Sequence, residues 1–169
     1  MHKLIDVDHQ LSAKIRTWGK SHYGFWKFIA ARSIALFVLA AVVLAAVDRL
    51  RLIDFILIFI AAYVIALFLQ LLVKRQRPDF ETLTGYKLAV RTYSYPSAHA
   101  AMSAAAATSL CLLTAWPNSL MAGLVITGAV LLAGLIGISR VVIGVHYGAD
   151  VVFGWLTGFM VAYAYVLWL

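Results

Sequence analysis

Apolar runs of about 20 residues, almost free of charge, recur along this chain, and a helical run of that length crosses a bilayer. No other feature restricts the fold so severely. In lipid every backbone N–H and C=O needs an internal partner, so uninterrupted runs of this kind read as spanning helices. Hydrophobic residues make up 64% of the 169 residues, and the mean hydropathy is +0.92. An ordinary soluble domain is excluded. No Pro/Gly/Ser-rich linker or short-period repeat divides the sequence, which predicts one all-α polytopic membrane domain over residues 1–169.

Five spans are read: about Trp26 to Val47, Asp54 to Val73, Pro96 to Ala115, Leu120 to Arg140 and His146 to Leu169. The charged turn Asp48-Arg49-Leu50-Arg51 separates the first two. Trp116-Pro117-Asn118 ends the third, because proline cannot continue the helical ladder. Ahead of them, residues 1–23 mix apolar and charged positions. Leu4, Val7, Leu11, Ile15 and Trp18 keep a three-to-four spacing, which predicts an amphipathic interfacial helix serving as an anchor. This stretch lacks the central apolar region of a cleavable signal. Residues 24–169 form the predicted transmembrane bundle. The longest polar interruption is Lys74 to Tyr95, and Asp79 to Tyr93 within it is the candidate for a flexible, substrate-selecting cover.

Three clusters of ionisable residues break the apolar background: Val73–Asp79 (VKRQRPD), Tyr95–His99 (YPSAH) and Ser139–Asp150 (SRVVIGVHYGAD). A charge beside a membrane segment is costly unless it has a partner and a task. With five spans, the end of the second, the start of the third, the end of the fourth and the start of the fifth share one side. Arg77, His99, Arg140 and His146 therefore converge at one membrane face.

Lys74, Arg77 and Arg140 supply cations able to hold the oxygens of a phosphoryl group as it transfers. Ser97 and the amides of Ala98 and His99 open the third helix, where exposed N–H groups and the helix dipole favour an anion. His146 and Asp150 are four apart, so on a helix the carboxylate would orient the imidazole and make it a better nucleophile. His99 has no carboxylate nearby in sequence and suits the acid that protonates a leaving oxygen. Two other uses remain open. His99, His146 and Asp150 could ligate zinc or iron, although clustered arginines oppose a divalent cation. Ser97 and His146 could form a serine-hydrolase pair, which leaves Arg77 and Arg140 unexplained.

The net charge of +7 suits an anionic membrane surface or a phosphorylated substrate. The basic residues are scattered at segment ends, so nucleic acid is not an expected partner. Cys111 is the lone cysteine and permits no intramolecular disulfide.

The three clusters resemble the three-part signature of the type 2 phosphatidic acid phosphatase superfamily of membrane lipid phosphatases. The third part matches at Ser139, Arg140, His146 and Asp150. The second reads Pro96-Ser97-Ala98-His99, with alanine for the family's glycine. The first keeps Arg77-Pro78 but has Gln70 where the family has lysine. Lys74, one helical turn on, could supply that charge. The resemblance extends from about Gln70 to Asp150. It implies a metal-independent phosphatase without cofactors, working through a phosphohistidine. His146 would be the nucleophile, Asp150 its orienting partner and His99 the general acid. Arg77, Ser97 and Arg140 would bind phosphate.

The resemblance further implies a lipid phosphate substrate in the bilayer, such as undecaprenyl diphosphate, phosphatidic acid or phosphatidylglycerol phosphate, and a bacterial cell-membrane location. It implies one more span than is read here, the amphipathic N-terminus standing in its place. Gln70 leaves a second outcome, a degenerate lipid-binding scaffold. Lys and Arg counted near the spans favour a cytoplasmic site face, whereas the resemblance implies an outward one.

Overall fold

Residues 2–47, 49–79 and 92–169 are described in the computed structural model, and the regular elements among them are helical. In chain order these are α1 (His2–Gly19), a 3-10 turn (Lys20–His22), α2 (Tyr23–Ala46), α3 (Leu52–Val73), α4 (Ala98–Leu113), α5 (Ser119–Val142) and α6 (Gly148–Trp168). Helices α2, α3, α5 and α6 are 24, 22, 24 and 21 residues long. At a rise of about 1.5 Å per residue each can cross a hydrocarbon layer of about 30 Å.

The expected third span is trimmed at both ends. Helix α4 has only 16 residues, with Ser97 capping its start and Thr114 already extended at its end. It is nevertheless the centre of the bundle, packed by α3, α5 and α6. Ala100, Ala101, Ser103, Ala105 and Ala106 are all buried, so most of α4 is covered by its neighbours. The longer helices instead turn Phe28, Leu39, Ile60, Leu131 and Met160 outward. In lipid the hydrophobic drive between helices is weak, and small residues that let backbones approach take over. Gly154 and Gly158 provide this on α6. A Cβ on Gly154 would lie 2.6 Å from the Ser97 carbonyl oxygen, and one on Gly158 would overlap the carbonyl oxygen of Ala101. Gly137 on α5 likewise makes room for Trp155, whose Nε1 donates to the Ala133 carbonyl at 3.2 Å.

At one end of the bundle the loops are tied by Ala115 N donating to the Arg49 carbonyl at 2.8 Å and by the Tyr165 hydroxyl on Asp54 at 2.8 Å. At the other end the four expected helix ends meet, and α1 lies across two of them. Gly19 sits against Val142 at the end of α5, and Ser12 and Asp8 reach the start of α6. Ile5, Val7, Leu11 and Trp18 stay exposed, as an interfacial helix requires. Ile15, expected on the same stripe, instead turns in among Val142, Ile143 and Val145. The N-terminal helix is thus more than an anchor, because its polar side is part of the bundle's closed end.

Candidate active site

His146 lies in the short turn between α5 and α6, not on a helix. Gly144 makes the turn possible with φ of 82°, a left-handed conformation that costs glycine little. The imidazole is 2% exposed. Its Nδ1 is 2.8 Å from the Ser94 carbonyl, which can only accept, so the proton sits on Nδ1. Its Nε2 lone pair faces Arg77 Nη1 at 3.1 Å. Asp150 is 3.7 Å from Nδ1, beyond hydrogen-bond reach.

His146 and Asp150 are thus paired as the sequence suggests, but at ion-pair and not hydrogen-bond distance. Four residues separate them, but α6 begins only at Gly148, so the helical one-turn geometry does not apply. Ser94 stands between the two. Its hydroxyl donates to Asp150 Oδ2 while its carbonyl accepts from His146. Burial, with the charges of Arg77 and Arg140, lowers the His146 pKa to about 4 against the pull of Asp150. The imidazole is neutral at pH 7 with Nε2 unprotonated.

Three arginines lie at this end of the bundle, Arg77 and Arg140 near the ring and Arg75 behind Asp150. Arg77 is held by Thr92 through Nε to the carbonyl at 2.8 Å and Nη2 to Oγ1 at 3.0 Å. Its Nη1 also donates to the Val145 carbonyl at 2.9 Å. Burial, then the nearby Arg140, lowers its pKa to about 10, which leaves it cationic at neutral pH. Arg140 is 2% exposed and reaches the Ala30 carbonyl of α2 at 3.4 Å. Arg75 spans two carboxylates, Asp150 at 2.7 Å and Asp8 at 2.6 Å, and lies over the Tyr147 ring. Burial works to lower its pKa, but Asp8 and Asp150 outweigh that and raise it.

Lys74, expected to replace the missing lysine, is exposed at the left-handed end of α3, with φ of 54°. Gln70 is 1% exposed, and its Nε2 donates to the Pro96 carbonyl at 2.8 Å. The position thus braces the turn into α4 without a charge.

Ser97 is buried as the N-cap of α4, its Oγ accepting from Ala100 N at 3.4 Å. Its own amide donates to the Asp150 carbonyl at 2.8 Å, tying α4 to α6. The serine–histidine hydrogen bond of a serine hydrolase is absent among the described residues. Ala98 and His99 follow in the first turn, where amides have no helical acceptor. His99 is half-buried, and its ionisable neighbours are Arg140, His146 and Arg77.

Asp8, Thr92 and Ser94 hold this site together with Arg75 of the first cluster, and motif reading passed over those three, whereas Ser12 serves α6 itself by accepting from Gly148 N at 2.9 Å. The available signal was the four-residue spacing of Asp8 and Ser12 on one face of an amphipathic helix. Thr92 and Ser94 act partly through main-chain carbonyls, which leave no sequence signal. The proposed substrate cover falls mainly on residues 80–91, with Tyr86, Lys87 and Arg91, and these lie outside the described residues.

Fold and site together define a multi-pass membrane protein that gathers arginines and a neutral histidine at one end of its helices. A family model described as the PAP2 superfamily matches residues 51–169. The chain belongs to the PAP2 superfamily. Among curated proteins it is similar to the decaprenylphosphoryl-5-phosphoribose phosphatase of Mycobacterium tuberculosis, in strains CDC 1551 / Oshkosh and ATCC 25618 / H37Rv. Identity is 34% over 93 residues, 55% of this chain and 47% of the relative. The match thus spans about half the length of those relatives. Among solved structures the transmembrane PAP2-type phosphatidylglycerolphosphate phosphatase from Bacillus subtilis shares the fold. That likeness has a TM-score of 0.76 at 22% identity, covering 99% of this chain and 87% of that one.

Proposed function

We propose that this protein is a lipid phosphatase that hydrolyses a phosphate monoester or diphosphate through a phosphohistidine on His146. The observation that carries the reading is the buried imidazole, with Nδ1 against the Ser94 carbonyl and Nε2 beside Arg77, an arrangement that suits a neutral ring with its proton on Nδ1. Nε2 attacks phosphorus, a P–N bond forms, and the P–O bond to the lipid breaks. His99 gives its proton to the departing oxygen. Water, relieved of a proton by the same His99, then cleaves the P–N bond and releases inorganic phosphate. Arg77, Arg140 and the first-turn amides of Ala98 and His99 hold the phosphoryl oxygens as charge moves onto them. Asp150 and Ser94 keep the ring in its attacking tautomer.

A metal bound at Nε2 would sit against the Arg77 guanidinium, which argues against using His146 as a ligand. The substrate we favour is a polyprenyl diphosphate such as undecaprenyl diphosphate, followed by phosphatidic acid or phosphatidylglycerol phosphate. The names of the relatives support a lipid-linked phosphate, and a bacterial cell membrane is the corresponding location.

The test is phosphate release from these lipids by detergent-purified protein in chelator, beside His146→Ala. Release by the wild type that drops at least about 10³-fold in the variant is expected, since nucleophile removal costs that much or more. Release that survives in His146→Ala would overturn the histidine mechanism. Release only on adding divalent metal would make the histidines ligands, and none under any condition would favour the scaffold.

A further inference from the structure

We propose that Asp8, on the N-terminal helix α1, is a positioning residue for the reaction at His146, acting through Arg75 on Asp150. This inference rests on the histidine reading above and extends the working site to a helix outside the three motif clusters.

The contacts form an unbroken chain. Asp8 Oδ2 accepts from Arg75 Nη2 at 2.6 Å, and Arg75 Nη1 donates to Asp150 Oδ1 at 2.7 Å. The other oxygen of Asp150 accepts from the Ser94 hydroxyl and from Tyr147 N, the latter at 2.8 Å. The Ser94 carbonyl then holds His146 Nδ1 at 2.8 Å. Arg75 and Asp150 each use both ends of the side chain, and Ser94 uses its hydroxyl and its main-chain carbonyl, so displacing one member frees the next. The other oxygen of Asp8 is committed too, accepting from Ala149 N at 2.9 Å in the first turn of α6.

The burial of this chain makes it more than an incidental surface pair. Side-chain exposure is 13% for Asp8, 21% for Arg75 and 0% for Asp150. A carboxylate in such a place is costly unless its oxygens are satisfied, and an arginine with both forks engaged has a defined geometry. Apolar contacts through Ile15 and Gly19 already dock α1 on the bundle. A carboxylate is not needed for docking, yet it sits where it sets the direction of Arg75. Without it Arg75 would have one carboxylate partner and could swing, and Asp150 and Ser94 would lose their fixed register. Because Asp8 reaches the ring only through intermediates, its loss should act on turnover and leave substrate binding alone.

Four variants separate this from a purely structural role. Asp8→Asn keeps an oxygen for Ala149 N and removes only the charge toward Arg75. Its kcat is expected to fall about ten-fold with KM within about two-fold, the size of one lost charge-assisted hydrogen bond. Asp8→Glu restores the charge and should recover part of kcat. Asp8→Asn combined with Arg75→Gln should be no slower than Arg75→Gln alone, because residues acting through one another are not additive. Ser12→Ala removes a comparable cap from the same helix end, that of Gly148 N at 2.9 Å, and should lower thermal stability with kcat unchanged.

The inference is overturned if Asp8→Asn keeps wild-type kcat, or if its kcat loss merely follows a fall in melting temperature that Ser12→Ala shares. With the wild type active and His146→Ala inactive, either of those results overturns this inference alone and leaves the histidine reading standing. Phosphate release retained by His146→Ala, or absent from the wild type, removes the histidine reading and this inference together.

Discussion

A histidine that attacks phosphorus must be unprotonated, and at position 146 burial does most of that work. A pH profile reads the consequence directly. On the proposed reading, with its pKa lowered to about 4, the ring would stay nucleophilic well below the ordinary histidine value, so kcat/KM for the free protein should persist to about pH 5 and fall as pH passes about 4. The second ionisation of a phosphate monoester lies near 6, so the limb below pH 5 is the informative part. An acid limb centred near 6.5 that His146 variants abolish would mean the ring is solvated and the buried geometry is wrong. Motif spacing made Arg77, His99, Arg140, His146 and Asp150 legible in the sequence as one cluster. The mutual arrangement was less so. The His146–Asp150 pairing was inferred from helical spacing, but the helix starts two residues after the histidine and Ser94 fills the gap. Lys74, one turn from Gln70 in sequence, falls just past the last turn of α3 in a left-handed conformation, where helical spacing no longer fixes its direction.

Among the elements, α4 and α6 decide whether the site assembles, because Ser97 of one is bonded to Asp150 of the other. Their approach depends on glycine at two positions a turn apart. A methyl group on Gly158 would run into the main-chain carbonyl of Ala101, which cannot yield as a flexible side chain can. Gly158→Ala is therefore expected to cost about 3 kcal/mol and to lower activity as α6 is pushed from α4. Gly134→Ala meets nothing within 4 Å and should be neutral or stabilising by about 1 kcal/mol, the gain of alanine over glycine in a helix. Melting curves of both variants in one detergent decide the matter, and equal shifts would argue against close α4–α6 packing. Hydropathy made the long helices readable. It could not reveal that the shortest apolar helix is the central one, since an alanine-rich run has no outward face to mark. Nor could it reveal that α1 caps α6, which depends on two side chains more than a hundred residues from their partners.

At the scale of the molecule, the parity of five spans brings distant clusters to one end, and that deduction needed only counting. Its physical consequence is that a single phosphate would touch the loop after α3, the start of α4 and the end of α5 at once. A ligand that bridges several elements stabilises the folded state over the unfolded one by mass action, about 2.7 kcal/mol at 100 times its dissociation constant. Vanadate, a phosphate mimic, should accordingly raise the melting temperature of the wild type in a saturable way. Arg77→Gln and Arg140→Gln should each lose most of that rise, whereas Lys74→Gln should keep it, because Lys74 is solvent-exposed while both arginines are held among the site's groups. A rise retained by both arginine variants would place the anion elsewhere on this basic chain. A rise lost on changing Lys74 would return that lysine to the phosphate site and make Gln70 a compensated substitution.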